Sequence, residues 1–121
     1  MKQETILSQT SNVIVITAVF GKYFNKLHFA PKNYKCHLFS NKRELAQEAE
    51  DRGWIFEYID FAITDDVTLN SIYSKYVKFL QFLTLPKYFD FLNKRIFYID
   101  HKWNIKDKDV YDFTNNVKIN A

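Results

Sequence analysis

Residues 13–20, VIVITAVF, form an almost unbroken apolar run made mostly of β-branched residues. A half-exposed strand alternates apolar and polar positions, so a continuous run of this kind reads as a strand covered on both faces. Such a strand belongs in the middle of a sheet with helices packed above and below it. Three shorter runs have strand character: KCHLFS at 35–40, WIFEYID at 54–60 and RIFYID at 95–100. Between the second and third lies NKRELAQEAEDRG, rich in helix formers, with Gly53 as a natural C-terminal stop. Between the third and fourth, Ile72, Tyr76, Phe79, Leu80 and Leu83 recur at helical spacing until Pro86 ends or interrupts the pattern. KDKDVYDFTNN, after Trp103, reads as a short charged helix. Strands alternating with helices predict an α/β fold with a mostly parallel sheet and flanking helices. No repeat or linker interrupts the chain, which predicts a single domain over residues 1–121.

Composition narrows the class. At 121 residues the chain suits one domain, and 47% hydrophobic with 18% aromatic residues exclude a disordered polypeptide. The net charge of +3 is small and its lysines are scattered, which argues against nucleic acid as a partner. No apolar run approaches the roughly 18 residues of a membrane span, and the start, MKQETILSQTSN, lacks the apolar stretch of a secretory signal. The one cysteine, Cys36, sits inside the apolar stretch YKCHLF and reads as a buried structural thiol. These features together predict a cytoplasmic protein.

Candidate chemistry gathers where strands end. Gly21 directly follows the first strand and either admits the backbone close to a ligand or serves only a tight turn. Neither glycine-rich phosphate motif is present, since the chain has only two glycines. Ser74, Lys75 and Lys78 share a helical face, suited to a diphosphate or simply to solvent. Asp100 closes the fourth strand run. Ligands in open α/β sheets bind beyond the carboxyl ends of strands, so Asp100 is placed for a divalent cation or a ribose hydroxyl. An Asx turn or a helix cap explains it equally well. His101 beside it is a further ligand candidate. The carboxylates of TDD at 64–66 read as a helix N-terminal cap, and those of DKD at 107–109 as surface charge.

The order of these segments carries a resemblance. VIVITAVFGKYFNKL, CHLFSNK, GWIFEYID, SKYVKFL and FYIDHKWNIKD, taken in sequence, resemble a glycosyltransferase-like family of domains of unknown function. That family includes plant hexosyltransferase-like proteins and bacterial relatives, and the resemblance runs from about Val13 to Asp107. It implies a three-layer, GT-A/Rossmann-like half-domain that binds a nucleotide sugar. It implies that Thr17, Ala18, Phe20 and Gly21 lie near the nucleotide, with Ser74, Lys75 and Lys78 at the diphosphate. It further implies that Asp100 meets a divalent metal, Mn²⁺ or Mg²⁺, and that His101 and Lys102 contact substrate. The implied activity is hexose transfer to a glycan, lipid or protein acceptor. The alternative is a non-catalytic α/β binding module that lacks the acceptor half. An incomplete sheet would leave an edge exposed, so self-association is also expected. Two departures stand out: His101 occupies the family's glycine position, and NSIY replaces an arginine pair ahead of Lys75.

Overall fold

The computed structural model describes residues 12–21, 27–101 and 104–116. Four strands, β1 (Val13–Val19), β2 (Lys35–Ser40), β3 (Ile55–Tyr58) and β4 (Arg95–Tyr98), form one sheet in the order β3-β2-β1-β4. Every neighbouring pair is parallel, with Val15 opposite Cys36 and Phe97, and Leu38 opposite Phe56. The α/β architecture expected from the sequence is therefore present. β1 is central and buried along its whole length, as its unbroken apolar run requires. β3 and β4 stop two residues short of the expected ends, although single ladder bonds from Ile59 N to Ser40 O and from Ile99 N to Ile16 O extend the pairing.

Three helices flank the sheet: α1 (Ala46–Asp51), α2 (Val67–Lys78) and α3 (Asp107–Asn116). A 3-10 turn, Arg43–Leu45, precedes α1, and two more 3-10 segments, Gln81–Thr84 and Pro86–Asn93, follow α2. Gly53 ends the α1 region at φ +88°, with its N–H donating to Glu50 O. The chain moves outward from β1 through β2 to β3, then returns across the sheet to β4. Because crossovers keep one hand, this reversal puts successive helices on opposite faces. Two separate cores result. Val13, Val15, Val19, Cys36 and Leu38 pack with Leu45, Ala49 and Val110 on one face. Ile14, Ile16, Ala18 and Phe39 pack with Val77, Phe82, Tyr88 and Phe91 on the other.

The inward face of α2 matches the expected stripe in part. Tyr76, Leu80 and Leu83 pack against the core as expected, while Ile72 and Phe79 are exposed and the helix also packs through Asn70, Tyr73 and Val77. Asn70, Tyr73 and Val77 recur at i, i+3 and i+7, a stripe that adjoins Tyr76. Aromatic packing selects it: Tyr73 stacks on Phe61 at 4.5 Å and meets Phe20 edge-on at 5.6 Å. The helix stops at Lys78, before Pro86, because Leu80 takes a left-handed conformation at φ 62° and packs back onto the core.

Candidate functional site

The chain's direction across the sheet reverses between β1 and β4. At such a switch point the two flanking connections diverge to opposite faces and leave a crevice beyond the strand ends. A cleft of about 550 Å³ lies there. The end of β1 contributes Ala18, Phe20 and Gly21, the end of β4 contributes Tyr98, Asp100 and His101, and α2 contributes Asn70, Ser71 and Ser74. A polar extension of about 430 Å³ continues past Ser71, Ser74, Tyr98 and Asp100 to Lys75 and Lys78. Ser71, Ser74, Lys75 and Lys78 follow i, i+3, i+4, i+7 spacing, so one stripe of α2 presents two hydroxyls and two ammonium groups.

Most of the residues singled out in the sequence meet at this cleft. Ala18, Phe20, Gly21, Ser74, Asp100 and His101 line its main chamber, and Lys75 and Lys78 line the extension. Thr17 does not. Strand alternation turns it to the face of Val15 and Val19, where its hydroxyl is fully buried. It is not among the residues that line the cleft, although its neighbour Ala18 is. Lys102 falls outside the described residues.

Gly21 is held at φ +83°, which side-chain-bearing residues rarely adopt. A Cβ there would lie 2.9 Å from Asn70 Nδ2 and 3.1 Å from its Cγ. The turn thus requires glycine for both conformation and space. The Lys42 ammonium donates to the Gly21 carbonyl from the tip of β2 and holds this turn against the neighbouring strand. At the other strand end, His101 Nδ1 lies 3.6 Å from Asp100 Oδ1, with the Asp100 side chain about half exposed. Tyr98 forms part of the wall. Burial, reinforced by the Asp100 charge, pushes its phenol up to about 12, so it stays a neutral hydrogen-bonding group at any physiological pH.

Asp100 offers carboxylate oxygen, and Mg²⁺ or Mn²⁺ commonly takes one or two carboxylates and completes its shell with phosphate oxygens and water. Among the described residues no three His, Cys, Asp or Glu converge on a ready-made cage. A cation at this cleft would therefore be shared with an anionic ligand.

Other polar residues resolve into structural roles. Asp66 Oδ1 accepts from Leu69 N and caps α2, as the TDD segment suggested. Asp107 accepts from Asn33 N and Nδ2, and Asp109 from Lys106 N. Cys36 is buried, and desolvation followed by the Asp107 charge pushes its thiol up to about 12. Two groups were missed in the sequence, Asn70, which lines the cleft, and a buried Glu57 that accepts from His37 at 2.9 Å and Tyr88 at 2.9 Å, while Asp65, read with Asp66 as cap, lines the cleft instead. A legible signal existed for Asn70, a lone polar residue on the stripe completed by Tyr73 and Val77. No family model, curated protein or solved structure matches the chain.

Proposed function

We propose that this cleft binds a nucleotide sugar and that the chain is the donor-binding unit of a glycosyltransferase-like protein. One observation supports the reading above others: a glycine turn, a strand-tip carboxylate and a two-lysine helix stripe all face one crevice at the switch point. Lys75 and Lys78 carry the charge to hold a diphosphate, with Ser71 and Ser74 as hydrogen-bond donors beside them. The Gly21 turn lets a ligand approach the backbone, and His101 and Lys102 are assigned to the substrate side. Asp100 would hold Mn²⁺ or Mg²⁺, which supplies charge stabilisation for a departing diphosphate. The acceptor is a glycan, lipid or protein hydroxyl, and the compartment is the cytoplasm.

Titration calorimetry with uridine and guanosine diphosphates, each with and without Mn²⁺, tests this reading. The expected result is metal-dependent binding that is lost in Asp100→Ala and weakened about tenfold or more in a Lys75→Ala, Lys78→Ala double variant. Failure of both nucleotides to bind overturns it.

A second reading, a non-catalytic interaction module, draws on the surface following α2. Phe79, Leu85, Phe89 and Leu92 are all exposed there. Exposed apolar residues concentrated on one segment mark contact surfaces more often than catalytic ones.

A further inference from the structure

The connection from β3 to α2, residues 59–66, is a surface loop, yet two buried asparagines hold it. Asn41, at the tip of β2 and 4% exposed, donates its side-chain amide to the carbonyls of Phe61 and Ala62, each at 3.2 Å. Asn70, on α2 and 8% exposed, donates to the Thr64 carbonyl at 2.8 Å. Thr64 Oγ1 then accepts from Asp66 N at 3.1 Å. Two side-chain amides thus hold three carbonyls of this loop, those of Phe61, Ala62 and Thr64. Burying these amides is costly, because Asn41 Oδ1 and Asn70 Oδ1 are both left without a hydrogen-bond partner.

What this bracing orients is the peptide joining Thr64 to Asp65. The bond to the Thr64 carbonyl on one side of Asp65 and that from Asp66 N to Thr64 Oγ1 on the other hold both flanking peptide planes, and together they set the direction in which the Asp65 side chain leaves the backbone. Asp65 lines the cleft, on the wall that also contains Asn70 and Gly21. Its neighbour Asp66 is consumed in capping α2. Asn70 is itself part of the wall beside Gly21, where an added Cβ would lie 2.9 Å from its amide nitrogen.

We infer that Asp65 is a ligand-contacting residue, an acceptor for ligand hydroxyl groups, and that Asn41 and Asn70 are the residues that position it. The inference rests on the nucleotide-sugar reading and deepens it by dividing the cleft. Lys75 and Lys78 take the anionic part of the ligand, and Asp65 takes its hydroxyls. Those hydroxyls belong either to the ribose or to the transferred sugar.

The test compares dissociation constants of uridine diphosphate, its 2′,3′-dideoxy analogue and uridine diphosphate glucose, in the presence of Mn²⁺, for the full chain and its variants. Asp65 is exposed, so Asp65→Asn is expected to leave the fold intact. It should weaken binding about tenfold only where the contacted hydroxyl is present. A loss on uridine diphosphate and its glucose conjugate but not on the dideoxy analogue assigns the ribose. A loss confined to the glucose conjugate assigns the sugar. Asn70→Ala should repeat the same ligand pattern, and adding it to Asp65→Asn should cause no further loss. Asn70→Asp, which removes the amide donor while keeping the size, provides the same comparison should Asn70→Ala fold poorly. An equal change on all three ligands, or none, overturns the role of Asp65 while leaving the nucleotide site standing. Additive losses in the double variant overturn the positioning role of Asn70. No binding of any of the three overturns both this inference and the reading beneath it.

Discussion

Gly21 is where one residue most directly decides whether the cleft exists. Replacing it with alanine adds a Cβ 2.9 Å from Asn70 Nδ2 at a φ that disfavours side chains. Gly21→Ala is expected to cost about 1–3 kcal/mol, read as a lower urea midpoint, and to weaken ligand binding through displacement of Asn70. Cys36 illustrates the opposite case, a reactive atom made inert by its surroundings. Its thiol is pushed up to about 12 and donates to the carbonyls of Pro31 and Tyr34. A disulfide-exchange reagent at pH 8 should therefore label native protein far more slowly than urea-unfolded protein; equal rates would contradict the assigned burial. The sequence context of Cys36 was enough to read this correctly. Asp65 was not legible in the same way, because Asp65 and Asp66 are equivalent as text, and only the start of α2 separates a cap from a cleft residue.

At the scale of elements, α2 does two jobs with two adjoining stripes. Asn70, Tyr73 and Val77 seat it on the sheet, and Ser71, Ser74, Lys75 and Lys78 line the cleft extension. Its register depends on the Asp66 cap, and Asp66→Ala is expected to cost about 1 kcal/mol by thermal or urea denaturation. On the same face, the Pro86–Asn93 segment is tied down through Glu57 on β3. Burial raises the Glu57 pKa, but hydrogen bonds from His37, Lys87 and Tyr88 outweigh it and leave the carboxyl below its ordinary value. Burial and then the bond to Glu57 push the Tyr88 hydroxyl strongly upward, so it remains a donor. A carboxylate with a lowered folded pKa stabilises fully above its unfolded pKa of about 4.5, and that stabilisation is lost as pH falls through the folded value. Stability should therefore decline as pH drops below about 4.5. Glu57→Gln should flatten that part of the profile, and an unchanged acid limb would refute the assignment. His37 and Glu57 lie twenty residues apart on different strands, so no local pattern announced the pair.

Over the whole molecule, the sheet leaves both edges, β3 and β4, without a further strand partner among the described residues. Phe89 and Leu92, three apart on one 3-10 segment, expose apolar surface nearby in the chain. Sedimentation should show self-association at micromolar concentration that Phe89→Lys with Leu92→Lys abolishes; a monomeric unmodified chain would count against it. Within the described residues no helix is long and apolar enough to cross a membrane.

FYID, the end of the fourth strand run, shows how the two levels of information divide. By itself the sequence determined the strands, since β-branched continuity at 13–19 and the shorter runs are local signals of backbone preference and burial. It also located the capping of α2 and the break at Gly53, which depend on residues a few positions apart, whereas the end of α2 at Lys78 came earlier than the Pro86 signal placed it. What Asp100 faces was a tertiary decision. Its meaning depends on β4 pairing with β1 rather than with β3, and no contiguous stretch of chain encodes that choice. The same return of the chain across the sheet brought Gly21, Asn70 and Asp100 to one crevice. Thr17 lies on the opposite face of β1 from Ala18, because successive residues of a strand point to opposite faces of the sheet.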